Sequence, residues 1–175
     1  MSRLAIWFHH KEWRLFHFIN ASCHHKSLNY FFSMITHLGG ATATISITLF
    51  ISLFFPAPGK YWGIQSMIAL TISHIIVVMI KRRYRRQRPY IIYPETKTPG
   101  QILTDHSFPS GHTTAIFSIV TPFMYYMPSI AVYLFLIACL VGLSRIYIGL
   151  HYPTDVIAGA LLGSLVGLTT VYFTI

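Results

Sequence analysis

Long apolar segments separated by short polar stretches make up most of this chain, and they limit the folds open to it. Hydrophobic residues account for 54% of the 175 residues and charged residues for only 10%, whereas soluble domains carry ~25% charged residues. Such a chain cannot surround a soluble core with polar side chains, so we predict that its solvent is the membrane. With ~20 residues needed for each crossing, five spans can be drawn, at 29–55, 61–80, 110–127, 129–148 and 153–175.

The segment before the first span has a different pattern. In residues 1–27, aromatic side chains such as Trp7, Trp13 and Phe16 alternate with His, Lys and Arg. This segment lacks the uninterrupted apolar core of a cleaved signal peptide and is typical of an amphipathic helix in the headgroup region. We therefore predict an all-α polytopic membrane helix bundle of about five transmembrane helices plus an N-terminal amphipathic interfacial helix, in a single domain over 1–175.

Three polar clusters lie where apolar spans meet polar segments, between residues 81 and 155. In chain order they are Lys81 with Arg88-Pro89, then Pro109-Ser110-Gly111-His112, then Ser144-Arg145 with His151 and Asp155. Counting the spans in order places all three clusters on one membrane face. Together they supply three cations, two histidines and one carboxylate, enough to bind a phosphoryl group, attack it and protonate what leaves.

The third cluster contains a candidate nucleophile. His151 and Asp155 are four residues apart, so one helical turn would stack them on the same face. A carboxylate at one ring nitrogen would fix the tautomer and leave the other nitrogen free to attack. Asp155 could also cap the last span, and both roles are compatible. Arg145 ends a long apolar span, where its planar fork suits phosphate and snorkelling is the alternative.

The second cluster precedes the third span. Ser110 could cap that helix, and the backbone N–H of Gly111 could point at an anion. His112 would then be placed to protonate a leaving oxygen as a general acid. A plain helix start is the alternative for this tetrapeptide.

The first cluster is the most basic. Lys81 and Arg88 are seven residues apart, two helical turns along one side, so both could reach one phosphate. The alternative for the whole run is a juxtamembrane basic anchor. We assign the remaining arginines to that anchor: Arg82, Arg83, Arg85 and Arg86.

The three clusters resemble, in order and spacing, the signature motifs of the type 2 phosphatidic acid phosphatase superfamily, membrane lipid phosphatases related to vanadium haloperoxidases. The resemblance implies that His151 forms a phosphohistidine, that Asp155 orients it, and that His112 acts as the acid. It also implies a set of groups that hold the phosphoryl oxygens: Lys81, Arg88, Ser110, Gly111 and Arg145. No cofactor and no metal are implied, since three cations already supply the charge that Mg²⁺ would bring.

The expected function is hydrolysis of a lipid phosphate or diphosphate. Undecaprenyl diphosphate, phosphatidylglycerophosphate, phosphatidic acid and lipid A are all candidate substrates, and a lipid-to-lipid phosphotransferase is a close variant. A non-catalytic anionic-lipid binder or an anion transporter would need the cations but neither His112 nor His151. The net charge of +9 favours binding to lipid headgroups, because the sequence contains no recognisable nucleic-acid-binding module. No obligate protein partner is evident.

The membrane face of the site is predicted from two conflicting signals. Twelve of the 13 Lys and Arg residues lie on the face of the clusters and Lys60 alone lies on the other, which by the positive-inside rule indicates the cytoplasm. Bacterial members of the resembling family, in contrast, usually face outward. Because cations in an active-site loop do not report topology, we predict a multi-pass plasma-membrane protein with an extracytoplasmic site.

Overall fold

The computed structural model describes residues 3–21, 25–98 and 103–174, and the regular structure in these ranges is helical. The α-helices are α1 Arg3–Ala21, α2 Lys26–Ile35, α3 Ala41–Phe54, α4 Gly59–Arg83, α5 Pro89–Ile92, α6 Gly111–Tyr126, α7 Pro128–Tyr147 and α8 Pro153–Phe173. The predicted all-α class is confirmed. The predicted interfacial segment 1–27 and the last predicted span, 153–175, each include residues outside the described ranges.

Within the described ranges, three helices are long and apolar enough to cross a membrane. They are α4 with 25 residues, α7 with 20 and α8 with 21, and they match three of the five predicted spans. On α8, Leu161, Leu165 and Tyr172 are at least 65% exposed. An apolar face this exposed is stable against lipid and unfavourable in water.

The first predicted span is not a straight helix. Residues 29–55 fall on α2, a 3₁₀ turn at Thr36–Gly39 and α3, with a bend of 53° between the two helical parts. Together they would form a fourth, broken span. The two glycines explain the break: Gly40 is extended, and a Cβ on Gly39 would lie 2.7 Å from the carbonyl oxygen of His112. The bend therefore brings this turn against the start of α6.

Helix α6 is the centre of the bundle. Its 16 residues extend about 24 Å, less than the ~30 Å hydrocarbon core, and nearly every side chain between Thr113 and Pro122 is buried. The predicted span at 110–127 is therefore a short helix surrounded by the others.

Glycines on α8 set how closely it packs against α6. A Cβ on Gly159 would lie 2.7 Å from the carbonyl oxygen of Ser110, and one on Gly167 would lie 2.7 Å from Cβ of Thr121. Gly163, between them, faces the carbonyl of Thr114 even more closely. These glycines, spaced by four residues along α8, form the surface on which the two helices meet.

Buried hydroxyls between α3, α4 and α6 have backbone acceptors. On α3, Thr48 donates to the carbonyl of Thr44 at 2.9 Å and Ser52 donates to that of Thr48 at 2.7 Å. On α4, the hydroxyl of Ser66 donates to the carbonyl of Ile119 at 2.8 Å. These polar side chains are therefore compatible with an apolar environment, where an unpaired hydroxyl would be costly.

We expect Gly163→Ala to lower stability, because the added methyl group must displace the α6 backbone. Overpacking of this kind costs about 1–3 kcal/mol, so the thermal midpoint of the detergent-solubilised protein should fall by several degrees. Leu161→Ala, on the exposed face of the same helix, is the control and should change the midpoint little. Equal midpoints for Gly163→Ala and the unsubstituted protein would contradict this account of the α6–α8 contact.

Candidate active site

A tight turn after α7 returns the chain to the end of that helix. Gly149 has a φ of +75°, a conformation that favours glycine, and a Cβ there would lie 2.8 Å from the carbonyl oxygen of Lys97. The backbone N–H groups of Leu150 and His151 then both donate to the carbonyl of Arg145, at 3.1 and 3.2 Å. The spacing between Arg145 and His151 is thus the length of one helix end and one turn.

His151 and Asp155 lie together, as predicted, but the contact runs through a third residue. Nδ1 of His151 is 3.6 Å from Oδ2 of Asp155, beyond ordinary hydrogen-bond range. The hydroxyl of Ser107 lies between them, donating to Oδ2 at 2.5 Å with its oxygen 3.4 Å from Nδ1. Asp155 also accepts from the N–H of Tyr152 at 2.9 Å, so it caps α8 while facing the imidazole. Sequence reasoning missed Ser107.

The other ring nitrogen of His151 faces Arg88. Nη1 of Arg88 lies 3.2 Å from Nε2 of His151, and both side chains are almost fully buried. A guanidinium can only donate, so Nε2 is the acceptor and the imidazole proton is assigned to Nδ1, toward Ser107 and Asp155. This tautomer leaves the lone pair of Nε2 directed at the cation.

Lys81 and Arg88 converge on a single carboxylate. Asp105 accepts from Nζ of Lys81 at 2.5 Å and from Nη2 of Arg88 at 2.6 Å. Burial alone would raise the pKa of Asp105, but the bonds to Lys81 and Arg88 lower it to about 2. A single anion can therefore bind both cations, one through each of two oxygens.

The predicted reason for this convergence is wrong, although the two residues do meet. Lys81 lies in the last turn of α4, but the chain leaves the helix at Tyr84 and is non-helical up to Arg88. The two cations meet because the chain turns back after α4, and they do not stack along one helix.

The guanidinium of Arg145 is buried and only partly hydrogen-bonded. Its Nη1 donates to the hydroxyl of Thr36 at 2.8 Å, in the turn between α2 and α3. Its Nε is buried, and no acceptor for it exists in the described part of the chain. Arg145 is only 3% exposed, so it does not snorkel to the headgroups. A buried cation with a donor to spare is suited to an anion.

The second cluster opens α6 beside these cations. Ser110 is the N-cap by position, but its hydroxyl makes no capping bond and accepts from the hydroxyl of Thr113 at 2.9 Å, which corrects the predicted cap. The N–H groups of Gly111 and His112 occupy the first helical positions, where no intrahelical acceptor exists. The N–H of Ser110 donates to the carbonyl of Asp155 at 3.0 Å, which joins this cluster to the third. The three predicted clusters therefore meet at one end of the bundle.

Arg86 belongs to the site and not to a basic anchor. Its Nη1 donates to Oδ1 of Asp155 at 2.6 Å, its Nη2 donates to Glu12 at 2.6 Å, and its guanidinium lies 4.0 Å from the ring centre of Tyr152. The small number of acids in the sequence is a signal that could have identified Arg86. The chain has four acids against 13 Lys and Arg residues, so each acid near the clusters is a candidate partner for a buried cation.

The N-terminal helix also reaches the site. Glu12 accepts from the backbone N–H of Thr154 at 3.3 Å and pairs with Arg86. Trp13 stacks on Tyr93 with ring centres 3.7 Å apart, and Phe16 is 1% exposed. Helix α1 is therefore packed against the active-site loops, and its place in the membrane interface stays a prediction.

No three His, Cys, Asp or Glu side chains within 3–21, 25–98 and 103–174 are close enough to hold a metal ion. The cations that converge outnumber the carboxylates, and the excess positive charge repels a metal ion and favours an anion. Independence from metal and from cofactors stays a prediction.

Comparison with known families agrees with the motifs. The model of the PAP2 superfamily matches residues 62–174, which is more than half of the chain. The chain belongs to the PAP2 superfamily, and the predicted resemblance is confirmed.

Several curated proteins are similar in sequence. The chain is 30% identical over 162 residues to "Undecaprenyl-diphosphatase BcrC" of Bacillus subtilis, covering 89% of this chain and 80% of that protein. It is 37% identical over 103 residues to "Bacitracin transport permease protein BcrC" of Bacillus licheniformis, covering 58% of this chain and 50% of that protein. With a decaprenylphosphoryl-5-phosphoribose phosphatase of Mycobacterium tuberculosis it shares 34% over 123 residues, covering 69% of this chain and 66% of that protein.

Two solved structures have the same fold. The crystal structure of Aquifex aeolicus LpxE matches with a TM-score of 0.83 and 30% identity, covering 91% of this chain and 94% of that one. A transmembrane PAP2-type phosphatidylglycerolphosphate phosphatase of Bacillus subtilis matches with a TM-score of 0.77 and 21% identity, covering 99% and 87%. With the apolar helices, these likenesses identify a membrane protein.

We expect His151 to make the protein sensitive to acid. Burial, opposed by Asp155 and reinforced by Arg145 and Arg88, lowers the pKa of His151 from 6.5 to about 3. At a pH between these two values, His151 is protonated in the unfolded chain and neutral in the folded chain. Its contribution to the free energy of unfolding is therefore complete above about pH 6.5 and falls as the pH drops below that value. Thermal unfolding at about pH 7.5 and about pH 5 should show a smaller loss for His151→Gln than for the unsubstituted protein. An equal loss in both would contradict the assignment of a neutral, buried imidazole.

Proposed function

We propose that this protein is an integral membrane phosphatase that hydrolyses a lipid phosphate or diphosphate through a phosphohistidine at His151. The observation that carries the proposal is the contact of Nε2 of His151 with Arg88, 3.2 Å away, in a site where Lys81 and Arg88 already share one anionic group. A nucleophile directed at an anion-binding cation is the arrangement that phosphoryl transfer requires.

The relatives narrow the substrate class. Those that match are named as an undecaprenyl-diphosphatase, a phosphatidylglycerophosphatase B and a lipid A 1-phosphatase. Their named substrates have different apolar parts, and each carries a phosphoryl group at the membrane surface. We infer the same class for this chain, namely a phosphoryl group on a membrane lipid.

In the first chemical step, Nε2 of His151 attacks the phosphorus atom and the bond to the leaving oxygen breaks. The imidazole gains positive charge, which Asp155 stabilises through Nδ1–H and the hydroxyl of Ser107. His112 donates a proton to the leaving oxygen, so a lipid alcohol or a lipid phosphate departs. In the second step, water attacks the phosphohistidine, His112 accepts a proton from that water, and inorganic phosphate leaves.

The cations stabilise the charge on the transferred group. Lys81, Arg88 and Arg145 would bind its equatorial oxygens, with the N–H of Gly111 as a further donor and Ser110 beside them. Arg88 has to turn from Nε2 of His151 toward the phosphoryl oxygens, and the carboxylate of Asp105 has to yield its contacts to them. The unpaired Nε of Arg145 supplies a donor that needs no such exchange.

We propose that the protein lies in the plasma membrane with this site on the extracytoplasmic face. The support is that several cations between 81 and 88 are engaged in the site: Lys81 and Arg88 pair with Asp105, and Arg86 pairs with Asp155 and Glu12. Such cations are poor reporters of orientation under the positive-inside rule. Labelling of single cysteines introduced in 93–98 with a membrane-impermeant reagent tests this placement.

His151→Ala should abolish phosphate release from a purified lipid phosphate in detergent, because no other group replaces the nucleophile. We expect a loss of about 10³-fold or more, and full turnover of the unsubstituted protein in EDTA. An acid-labile phosphoryl label should form on the unsubstituted protein and be missing from His151→Ala.

His74→Ala is the matched control, since this histidine is exposed on α4 away from the clusters. Phosphate release by His151→Ala at the rate of the unsubstituted protein would refute the proposed chemistry. A strict requirement for a divalent metal would do the same.

Ser107→Ala should slow phosphate release without preventing substrate binding. The substitution removes the hydroxyl between Nδ1 of His151 and Asp155, and a misplaced reacting group can cost up to about 10²-fold. We expect kcat to fall about 10–100-fold with KM little changed.

Ser118→Ala is the control for this change. It also removes a buried hydroxyl, which donates to the carbonyl of Ala115 at 2.8 Å within α6, and it should leave kcat unchanged. Similar values of kcat for both variants would show that Ser107 does not position the nucleophile.

A further inference from the structure

A basic cavity lies beside Lys81 and Asp105. It has a volume of about 600 Å³ and is lined by Val78, Lys81, Arg82, Arg85, Asp105 and His106. Lys81 and Asp105 belong both to this cavity and to the candidate active site, because Asp105 joins Lys81 to Arg88 through its two oxygens. The cavity therefore adjoins the carboxylate that binds Arg88, and Arg88 contacts His151.

Two arginines of this cavity carry charge that the protein does not neutralise. Arg82 and Arg85 are exposed, and neither has an ion pair or a hydrogen bond to any part of the chain that the structure describes. The one lining carboxylate, Asp105, is already bound by Lys81 and Arg88. Arg86, in the same basic run, has two carboxylate partners. The basic residues at 81–88 therefore differ in role: Arg86 binds carboxylates of the site, whereas Arg82 and Arg85 line the cavity.

The cavity also has an apolar side toward the membrane. Val78 lies one turn before Lys81 and Arg82 on α4, so the three share a helix face. On the same helix Ile75 and Met79 are 54% and 65% exposed. A group in this cavity could therefore remain attached to a hydrocarbon chain that lies along α4 in the bilayer.

We propose that Arg82 and Arg85 form a subsite for a second phosphoryl group bonded to the one that reacts, so that the substrate is a lipid diphosphate. This inference rests on the proposed function. Nε2 of His151 attacks the terminal phosphorus, the bond to the bridging oxygen breaks, and its electron pair stays on that oxygen. Negative charge develops on the bridging oxygen as this bond breaks, the two guanidinium groups stabilise the departing lipid monophosphate, and His112 donates its proton to that oxygen.

The test compares a diphosphate and a monophosphate of the same prenol in phosphatidylcholine vesicles. In the double variant Arg82→Gln and Arg85→Gln, kcat/KM for the diphosphate should fall about 10–100-fold, as expected for loss of charged hydrogen bonds, and that for the monophosphate less than about 3-fold. Arg83→Gln is the matched control, because Arg83 is exposed and does not line this cavity. Methylenediphosphonate should inhibit the unsubstituted protein better than phosphate does, and the double variant should lose this preference.

Each other outcome has a definite meaning. Equal losses on both substrates, no loss on the diphosphate, or hydrolysis of the monophosphate alone would overturn the subsite. A loss that appears only in vesicles with anionic lipid, for both substrates alike, would make these arginines a membrane anchor and would also overturn it. If the unsubstituted protein hydrolyses neither substrate, the proposed function fails, a result distinct from hydrolysis of both substrates with no discrimination by the variant.

Discussion

The arrangement of the site depends on the contacts that the carboxylate of Asp155 makes. It caps α8 through the N–H of Tyr152, accepts from Ser107 on one oxygen and from Arg86 on the other, and faces Nδ1 of His151. Arg86 in turn binds Glu12 on α1. One buried anion thus joins the N-terminal helix, the segment before α6 and the turn before α8. Removing one partner of such a group leaves another buried and unpaired, which is strongly destabilising.

The ion pairs of the site use most of the acids in the chain. There are four carboxylates against 13 Lys and Arg residues, and Glu12, Asp105 and Asp155 all bind cations of the site. The pairings leave the site with excess positive charge, because Arg145 has no carboxylate in the described ranges and is nevertheless buried. A low-dielectric surrounding strengthens the attraction of that charge for an anion. This imbalance favours the binding of an anionic group over a neutral one.

Close packing around α6 keeps the charged groups in place. The glycines of α8 allow its backbone to reach α6, and Gly39 allows the bent turn to reach His112. Ser110, at the start of α6, donates its N–H to the carbonyl of Asp155 at 3.0 Å. The same small residues that join helices in an apolar solvent therefore also set the distance between the second and third clusters.

The sequence alone determined the membrane class, the helical architecture and the positions of the three clusters. Apolar length and residue spacing are properties of contiguous stretches, so they can be recognised without a structure. It did not reveal the role of Ser107 or of Arg86, the division of the basic run, or the bend at Thr36–Gly39. Arg86 lies 69 residues from Asp155 and 74 from Glu12. Which cation meets which acid over such separations depends on how the helices pack, and only the tertiary structure decides that.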